Sequence, residues 1–338
     1  MKPTLTTVIR RWDDIKELSQ RKMILPSFVD LHTSNKCNQR CKGCAYGADL
    51  DDSYMSEYDH FRAIDIFLKA GVKAFDFAGG GEPTLLPYLA KLMQYIDEAD
   101  AHFALITNGV AMSDRLMEVL LESGTYVRFS LEASNPIDYK DYKTTDSWPK
   151  VMRNISRLVG MRNADGSPLQ IGIKFSVSKS LRDQKHYEDG IRLAHELGVD
   201  RVTFKATRHM PEEITLSAKV KERQLLRDTL SHNYHRNVVE WITELPDNLI
   251  PQCWLNPLHT VMDHLGNIYI CCYYYNRGEE HLLGNILETG FASIWYSEDH
   301  WQKIRNIDRE KCKKVDCKFF YHHHAVEYAS KRGRLEFM

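Results

Sequence analysis

The sequence predicts an α/β fold: six parallel βα units followed by a small cysteine-rich module. Three observations carry that expectation. From 27 to about 210, short apolar runs alternate with helical patterns, as parallel βα units with right-handed crossovers do. Each apolar run ends in a polar or glycine-rich element: "SNKC", "GGGEPT", "TNG", "LEAS", "SVSK" and "KATRH". The eight cysteines fall in two groups, three at Cys37, Cys41 and Cys44, and five at Cys253, Cys271, Cys272, Cys312 and Cys317.

Taken in order, "SFVDLHTS" (27–34) reads as the first strand. Ser56 can cap the helix that follows, with Asp59 in its first turn and Gly71 at its end. "VKAFDFAGGGEP" (72–83) is a strand that runs into glycines, and "PYLAKLMQYIDEAD" is helical. "FALITNG" (103–109), "YVRFSLEAS" (126–134), "IGIKFSVSK" (171–179) and "DRVTFKAT" (200–207) are the remaining strands. The helices between them are "MSDRLMEVLLESG", "SWPKVMRNISRLVGMRN", whose Pro149 is tolerated in the first turn, and "YEDGIRLAHELG". Six units are fewer than the eight of a closed barrel, so an open barrel and a doubly wound sheet both fit. Either fold carries its site at the C-terminal ends of the strands. The pattern divides the chain into an N-terminal helical extension (1–26), the βα array (27–212), a helical linker (213–252) and a cysteine-rich module (253–338).

Bulk properties exclude several classes. With 338 residues, 43% hydrophobic and 27% charged, the chain can bury a sizeable core. A net charge of −1 gives no general pull toward nucleic acid or anionic membrane. No apolar run is long enough for a signal peptide or for the roughly 18 residues of a membrane span. The chain therefore reads as cytoplasmic, where clustered cysteines are more often metal ligands or catalysts than disulfides.

The first cluster, "CNQRCKGCAYG", places Cys37, Cys41 and Cys44 in one loop after the first strand. Three thiolates can hold three irons of a cubane cluster and leave the fourth open to chemistry. The alternative is a zinc site completed by a distant residue such as His32. In "AGGGEPTL" (78–85), Gly79, Gly80 and Gly81 let backbone groups approach a ligand closely, and Glu82 adds an acceptor. No Gly-Lys-Ser/Thr follows, so this is not a phosphate loop.

With those motifs in place, residues 27–210 resemble the radical S-adenosylmethionine (radical SAM) superfamily. The resemblance rests on Cys37-x3-Cys41-x2-Cys44, "GGEP", "TNG", "SLEAS" and "YKTTDSWPKVMRNI" (142–155). It implies a partial (β/α)6 TIM-like barrel. It also implies a [4Fe–4S] cluster on the three cysteines, with SAM on the fourth iron. Reductive cleavage of SAM would give a 5′-deoxyadenosyl radical that abstracts hydrogen from substrate. Carried over by position, Gly80, Gly81 and Glu82 bind the methionyl amino group. Ser130 holds the SAM carboxylate with Lys174 as partner, and Asn108 lies near the ribose. The family's bulky residue before the third cysteine is Gly43 here, which leaves Tyr46 as the candidate for packing on adenine.

Cys253, Gly266-x4-Cys271 and Cys312-x4-Cys317 supply four further thiolates, enough to close a cluster's ligand sphere. A structural zinc ribbon would accept the same four. With "DHLGNIYICCYYY", "LLGNI" and "SIWYS", the arrangement resembles the SPASM and twitch modules of radical SAM enzymes. That resemblance implies one auxiliary [4Fe–4S] cluster. Cys272 is spare, and is either a hydrogen-atom donor to a substrate radical or chemically silent. Lys205, Arg208 and His209 after the sixth strand, and Glu132 after the fourth, are candidate substrate or catalytic residues; each could equally make an ordinary salt bridge. Tyr273–Tyr275 and Trp254 read as module core, and His322, His323 and His324 as solvated or packing residues.

The resemblance implies an oxygen-sensitive radical SAM enzyme served by a flavodoxin- or ferredoxin-type electron donor. Only about 26 residues precede the first strand, which points away from a leader-peptide-binding domain. The expected substrate is a small hydroxylated molecule of sugar or aminocyclitol type, undergoing dehydrogenation or epimerisation. Radical epimerisation or cross-linking of a ribosomally made peptide is the second reading, and a non-catalytic zinc-binding protein the third.

Overall fold

The computed structural model describes residues 11–47, 50–177, 183–206, 238–241, 253, 256–272 and 278–308. Among the described residues, helix α1 (Trp12–Ser19) precedes the sheet. Strands β1 (Phe28–Leu31), β2 (Ala74–Phe77), β3 (His102–Thr107), β4 (Tyr126–Glu132), β5 (Gln170–Val177) and β6 (Arg201–Ala206) pair in sequence order, all parallel. The helices between them are α2 (Glu57–Lys69), α3 (Leu89–Glu98), α4 (Asp114–Ser123), α5 (Pro136–Lys143), α6 (Trp148–Asp165) and α7 (Gln184–Glu196). This is the α/β partial barrel that six βα units predict.

Local signals act as expected. The Ser56 hydroxyl accepts the Asp59 N–H at 3.1 Å and caps α2. Gly71 follows that helix at φ +97°, a conformation glycine adopts without a Cβ penalty. Along β4, Val127, Phe129 and Leu131 are buried in the core shared with the helices. Strand alternation then turns Tyr126, Arg128 and Ser130 to the concave side. The Tyr126 hydroxyl donates to Asp76 on β2 at 2.7 Å, reaching across β3 where the small Ala104 leaves room. The concave face is thus polar.

The sheet extends beyond six strands at both edges. Strand β7 (Val238–Trp241) pairs parallel with β6. The helical linker expected over 213–252 is corrected at these four residues; "VVEW" opens with two β-branched residues and finds an open sheet edge. At the other edge, β8 (His259–Met262) pairs parallel with β1, and β9 (Asn267–Tyr269) and β10 (Leu282–Asn285) continue antiparallel. The described part of 253–338 is therefore an extension of the barrel's own sheet. Asp263 organises the β8–β9 turn: its carboxylate accepts the Leu265 and Asn267 N–H groups at 2.9 and 3.0 Å and the Tyr269 hydroxyl at 3.0 Å.

Three short helices, α8 (Ile286–Thr289), α9 (Phe291–Trp295) and α10 (Glu298–Arg305), complete this edge. Trp295 is fully buried, stacks on Phe291 at 5.3 Å, and donates its indole N–H to the Ile24 carbonyl at 2.7 Å. Phe291 meets Phe67 of α2 at 4.9 Å. If this corner is one core with the barrel, Trp295→Ala should destabilise the whole chain by about 3–5 kcal/mol. Urea unfolding followed by a barrel probe should show one earlier transition; a separate early phase that leaves the barrel signal unmoved would contradict it.

Candidate functional site

The site forms where the loops after β1, β2 and β3 meet. The segment leading to Cys37 lies against the glycine run. The Gly81 N–H donates to the Ser34 carbonyl at 2.6 Å, and the Glu82 N–H donates to the Lys36 carbonyl at 2.8 Å. Gly80 has φ +77°, and a Cβ there would meet the Ser34 oxygen at 3.0 Å. A Cβ on Gly81 would run into the Lys36 carbonyl, far inside van der Waals contact. The glycines are therefore required by the close approach of two loops of the protein itself.

Glu82 is buried and closes this junction. One carboxylate oxygen accepts the Thr84 N–H at 3.1 Å, the Thr84 hydroxyl at 2.6 Å and the Thr107 hydroxyl at 2.5 Å. The other accepts the Asn108 N–H at 2.7 Å. The Asn108 side chain then donates to Asn38, inside the cysteine loop, at 2.7 Å. Glu82 and Asn108 tie strand ends and cysteine loop together.

The far side of the cysteine loop rests on α5. Gln39 donates to the Tyr139 hydroxyl at 2.8 Å, the Lys42 N–H to the Tyr142 carbonyl at 2.9 Å, and the Thr144 hydroxyl to the Arg40 carbonyl at 2.9 Å. Behind the loop lies a buried charge cluster. The Lys174 ammonium pairs with Glu132 at 2.7 Å and that of Lys143 at 4.0 Å, while the Ser176 hydroxyl donates to the second Glu132 oxygen. Glu132 sits at φ +76° on an irregularity in the β4–β5 register, a strained position for a residue with a Cβ. Burial works to raise its pKa, but Lys174 and Lys143 outweigh it and hold the carboxyl below its ordinary value. Glu132 thus makes the salt bridge that is one of its two readings, as a buried counter-ion to two lysines.

Lys143 was not singled out by the sequence. A lysine in the last turn of a helix is ordinarily solvated, and "YKTT" gives no sign of burial. Here it is 2% exposed. Burial works against its charge, yet Cys41 and Glu132 beside it prevail and hold its pKa above the ordinary value.

Cys37, Cys41 and Cys44 are free thiols at intermediate depth. Burial pushes the Cys37 thiol up to about 11; a hydrogen bond from the Gln39 backbone opposes this, and Glu82, Cys41 and Cys44 add to it. Burial likewise raises the pKa of Cys41, against Lys143. Clustered thiols of this kind are a donor set for a positively charged centre, which ionises its ligands on binding. Among the described residues no three such donors converge on a single metal ion; three thiols in one loop are the donor types of an iron–sulfur cluster, where each binds its own iron.

Tyr46 does not stand over an open face. Its ring meets His32 edge-on at 5.2 Å, lies against Gly79, and its hydroxyl donates to the Cys272 carbonyl at 3.4 Å. It joins the first cysteine loop to the second cysteine set. In that set Cys253 is buried, and Cys271 Sγ lies 3.2 Å from His281 Nδ1. Ser130 and Lys174 are in register on β4 and β5, and Ser176 and Lys205 on β5 and β6. Arg208, His209, Cys312, Cys317, Trp254, Tyr273–Tyr275 and His322–His324 lie outside the described residues.

Residues 31–172 match the model of the radical SAM superfamily, and residues 253–318 match that of an iron-sulfur cluster-binding domain, SPASM. The chain carries a radical SAM domain. It carries a C-terminal SPASM-type module, and its cofactors are a [4Fe–4S] cluster with S-adenosylmethionine and an auxiliary [4Fe–4S] cluster. It is 22% identical over 303 residues to a tungsten-containing aldehyde ferredoxin oxidoreductase cofactor-modifying protein of Pyrococcus furiosus, covering 80% of this chain and 81% of that one. It is 21% identical over 164 residues to an S-adenosylmethionine-dependent nucleotide dehydratase of a Thermoplasmatales archaeon. That match covers 48% of this chain and only 58% of the relative. The fold superposes on the crystal structure of Streptococcus suis SuiB bound to S-adenosylmethionine with a TM-score of 0.69 at 15% identity, covering 89% of this chain and 73% of that one. Among the described residues no helix is long and apolar enough to cross a membrane.

The loop junction makes a graded prediction. Gly81→Ala should cost on the order of 1–3 kcal/mol, since backbone must move on both sides. Gly79→Ala meets only the His32 and Tyr46 side chains, at 3.1 and 3.2 Å, and should cost less. Gly160→Ala, with nothing within 4 Å, should be neutral or stabilising. Thermal unfolding of the three variants checks the order.

Proposed function

We propose that Cys37, Cys41 and Cys44 hold the SAM-binding cluster and that Cys253, Cys271, Cys312 and Cys317 hold the auxiliary one. The substrate is a small hydroxylated molecule, of the sugar or aminocyclitol class, and the outcome is net dehydrogenation or epimerisation. When bound, the cluster and SAM supply reductive cleavage of SAM and hydrogen abstraction by the resulting 5′-deoxyadenosyl radical. A flavodoxin- or ferredoxin-type protein delivers the electron.

The protein's own residues bind and orient. Gly80, Gly81 and Glu82 bind the methionyl amino group, and the Thr84, Thr107 and Asn108 bonds to the Glu82 carboxylate hold that end of the loop in place. Ser130, Lys174 and Lys143 receive the SAM carboxylate, and Glu132 keeps both lysines in place between turnovers. Asn108 positions the ribose side. Lys205, together with Arg208 and His209, contacts substrate. Cys272 returns a hydrogen atom to the substrate radical when the outcome is epimerisation, and one electron from the flavodoxin- or ferredoxin-type donor with a proton from solvent restores its thiol.

The observation that carries this reading is the Tyr46–Cys272 hydrogen bond, which links the loop of Cys37, Cys41 and Cys44 to the segment that holds Cys271 and Cys272. The preference for a small hydroxylated substrate is supported by the polar concave face, where Asp76, Tyr126, Arg128 and Thr203 offer hydrogen-bonding groups. It is also supported by the relative named as a nucleotide dehydratase, since a nucleotide is a hydroxylated sugar compound.

Anaerobic reconstitution should give a brown protein with about eight irons per chain. Reduction with SAM should release 5′-deoxyadenosine, and the Cys37/Cys41/Cys44 triple alanine variant should release none. Two zinc ions and no colour would defeat the reading. Cys272→Ala should still form 5′-deoxyadenosine but lose product if Cys272 is the donor; unchanged product would remove that role. Deuterium in product made in D2O marks epimerisation, and its absence marks oxidation.

A further inference from the structure

The geometry points to His281 as a positioning residue that donates a hydrogen bond to the sulfur of Cys271 and so sets the reduction potential of the auxiliary cluster. The inference rests on the proposal above that Cys271 is a ligand of that cluster. Cys271 Sγ and His281 Nδ1 are 3.2 Å apart, inside hydrogen-bonding range for sulfur. His281 is 2% exposed, so water does not compete for the contact.

Its ring is aimed by the backbone. The His281 N–H donates to the Gly278 carbonyl at 3.1 Å, and its carbonyl accepts the Ile270 N–H at 3.0 Å. Ile270 immediately precedes Cys271, so a single backbone hydrogen bond sets cysteine and histidine side by side. The next strand, β10, starts at Leu282 and fixes the far side of the ring's main chain.

The chemistry gives the bond a direction. A free thiol and an imidazole can share a proton either way. A cysteine bound to iron is a thiolate and has no proton to give. The proton must then sit on Nδ1, and the neutral imidazole donates. A hydrogen bond to a ligand sulfur draws off negative charge, and so favours the reduced cluster, which carries one electron more. Removing the donor should lower the midpoint potential and leave the ligand count unchanged.

The test uses the full chain with Cys37, Cys41 and Cys44 replaced by alanine, so that only the auxiliary cluster remains. Mediated potentiometric titration, followed by electron paramagnetic resonance, reads its midpoint. His281→Phe should shift the midpoint to a lower potential at unchanged iron content. His281→Asn, whose amide can donate from near the Nδ1 position, should restore much of the shift. An unmoved midpoint in His281→Phe overturns the inference while leaving the cluster assignment standing. Loss of the cluster in a folded His281→Phe protein also overturns it, because His281 would then be a ligand. A triple-alanine protein that binds no iron fails the ligand proposal itself, and this inference with it. Should His281→Phe not fold, pulsed resonance on the 15N-histidine-labelled triple variant still decides: weak nitrogen coupling supports a hydrogen bond, and strong or absent coupling refutes it.

Discussion

The site depends on one close approach of backbone to backbone. Gly81 and Glu82 donate their N–H groups to the carbonyls of Ser34 and Lys36, 2.6 and 2.8 Å away. That contact is possible only because Gly81 lacks a Cβ and Gly80 takes a positive φ. The Glu82 carboxylate then ties the same junction to the end of β3 through Thr107 and Asn108. Three strand ends and the cysteine loop are thereby one hydrogen-bonded unit. Glycines that look like room for a ligand are first a requirement of the fold.

Electrostatics behind the loop follow a similar economy. A lone carboxylate at full burial would be protonated or expelled. Glu132 stays ionised because Lys174 and Lys143 flank it, and Lys143 stays charged at full burial because Cys41 and Glu132 lie beside it. Taking any one away leaves buried charge uncompensated, which is the costly way to break such a cluster. The strained backbone of Glu132 is consistent with a position held by its surroundings.

Much of the barrel was legible in sequence because its signals are local. Apolar alternation, Ser56 as a cap, glycine after helices and Pro149 in a first turn each act within a few residues. The first cysteine loop was legible for the same reason, since its spacing is short and its place after β1 is given by one strand. The four-residue strand β7 was read as helix, because whether "VVEW" pairs depends on a free edge of β6. That strand β8 of the C-terminal module pairs with the barrel is not legible, because its partner β1 lies more than two hundred residues earlier in the chain. Lys143 was missed because burial of a helix-end lysine leaves no trace in its neighbours.

The sequence by itself determined the ordered βα array, the two cysteine sets and the glycine run that joins them to the strands. Those features are set by residue type at short spacing, where propensity and ligand chemistry act directly. Tertiary structure alone decided that the C-terminal strands extend the barrel's sheet, that Glu132 faces two lysines, and that Tyr46 reaches Cys272. It also decided that His281 lies against Cys271. Each of these is a contact between residues whose proximity comes from strand pairing and core packing, and long-range pairing is set by what edge is available, not by the local run of amino acids.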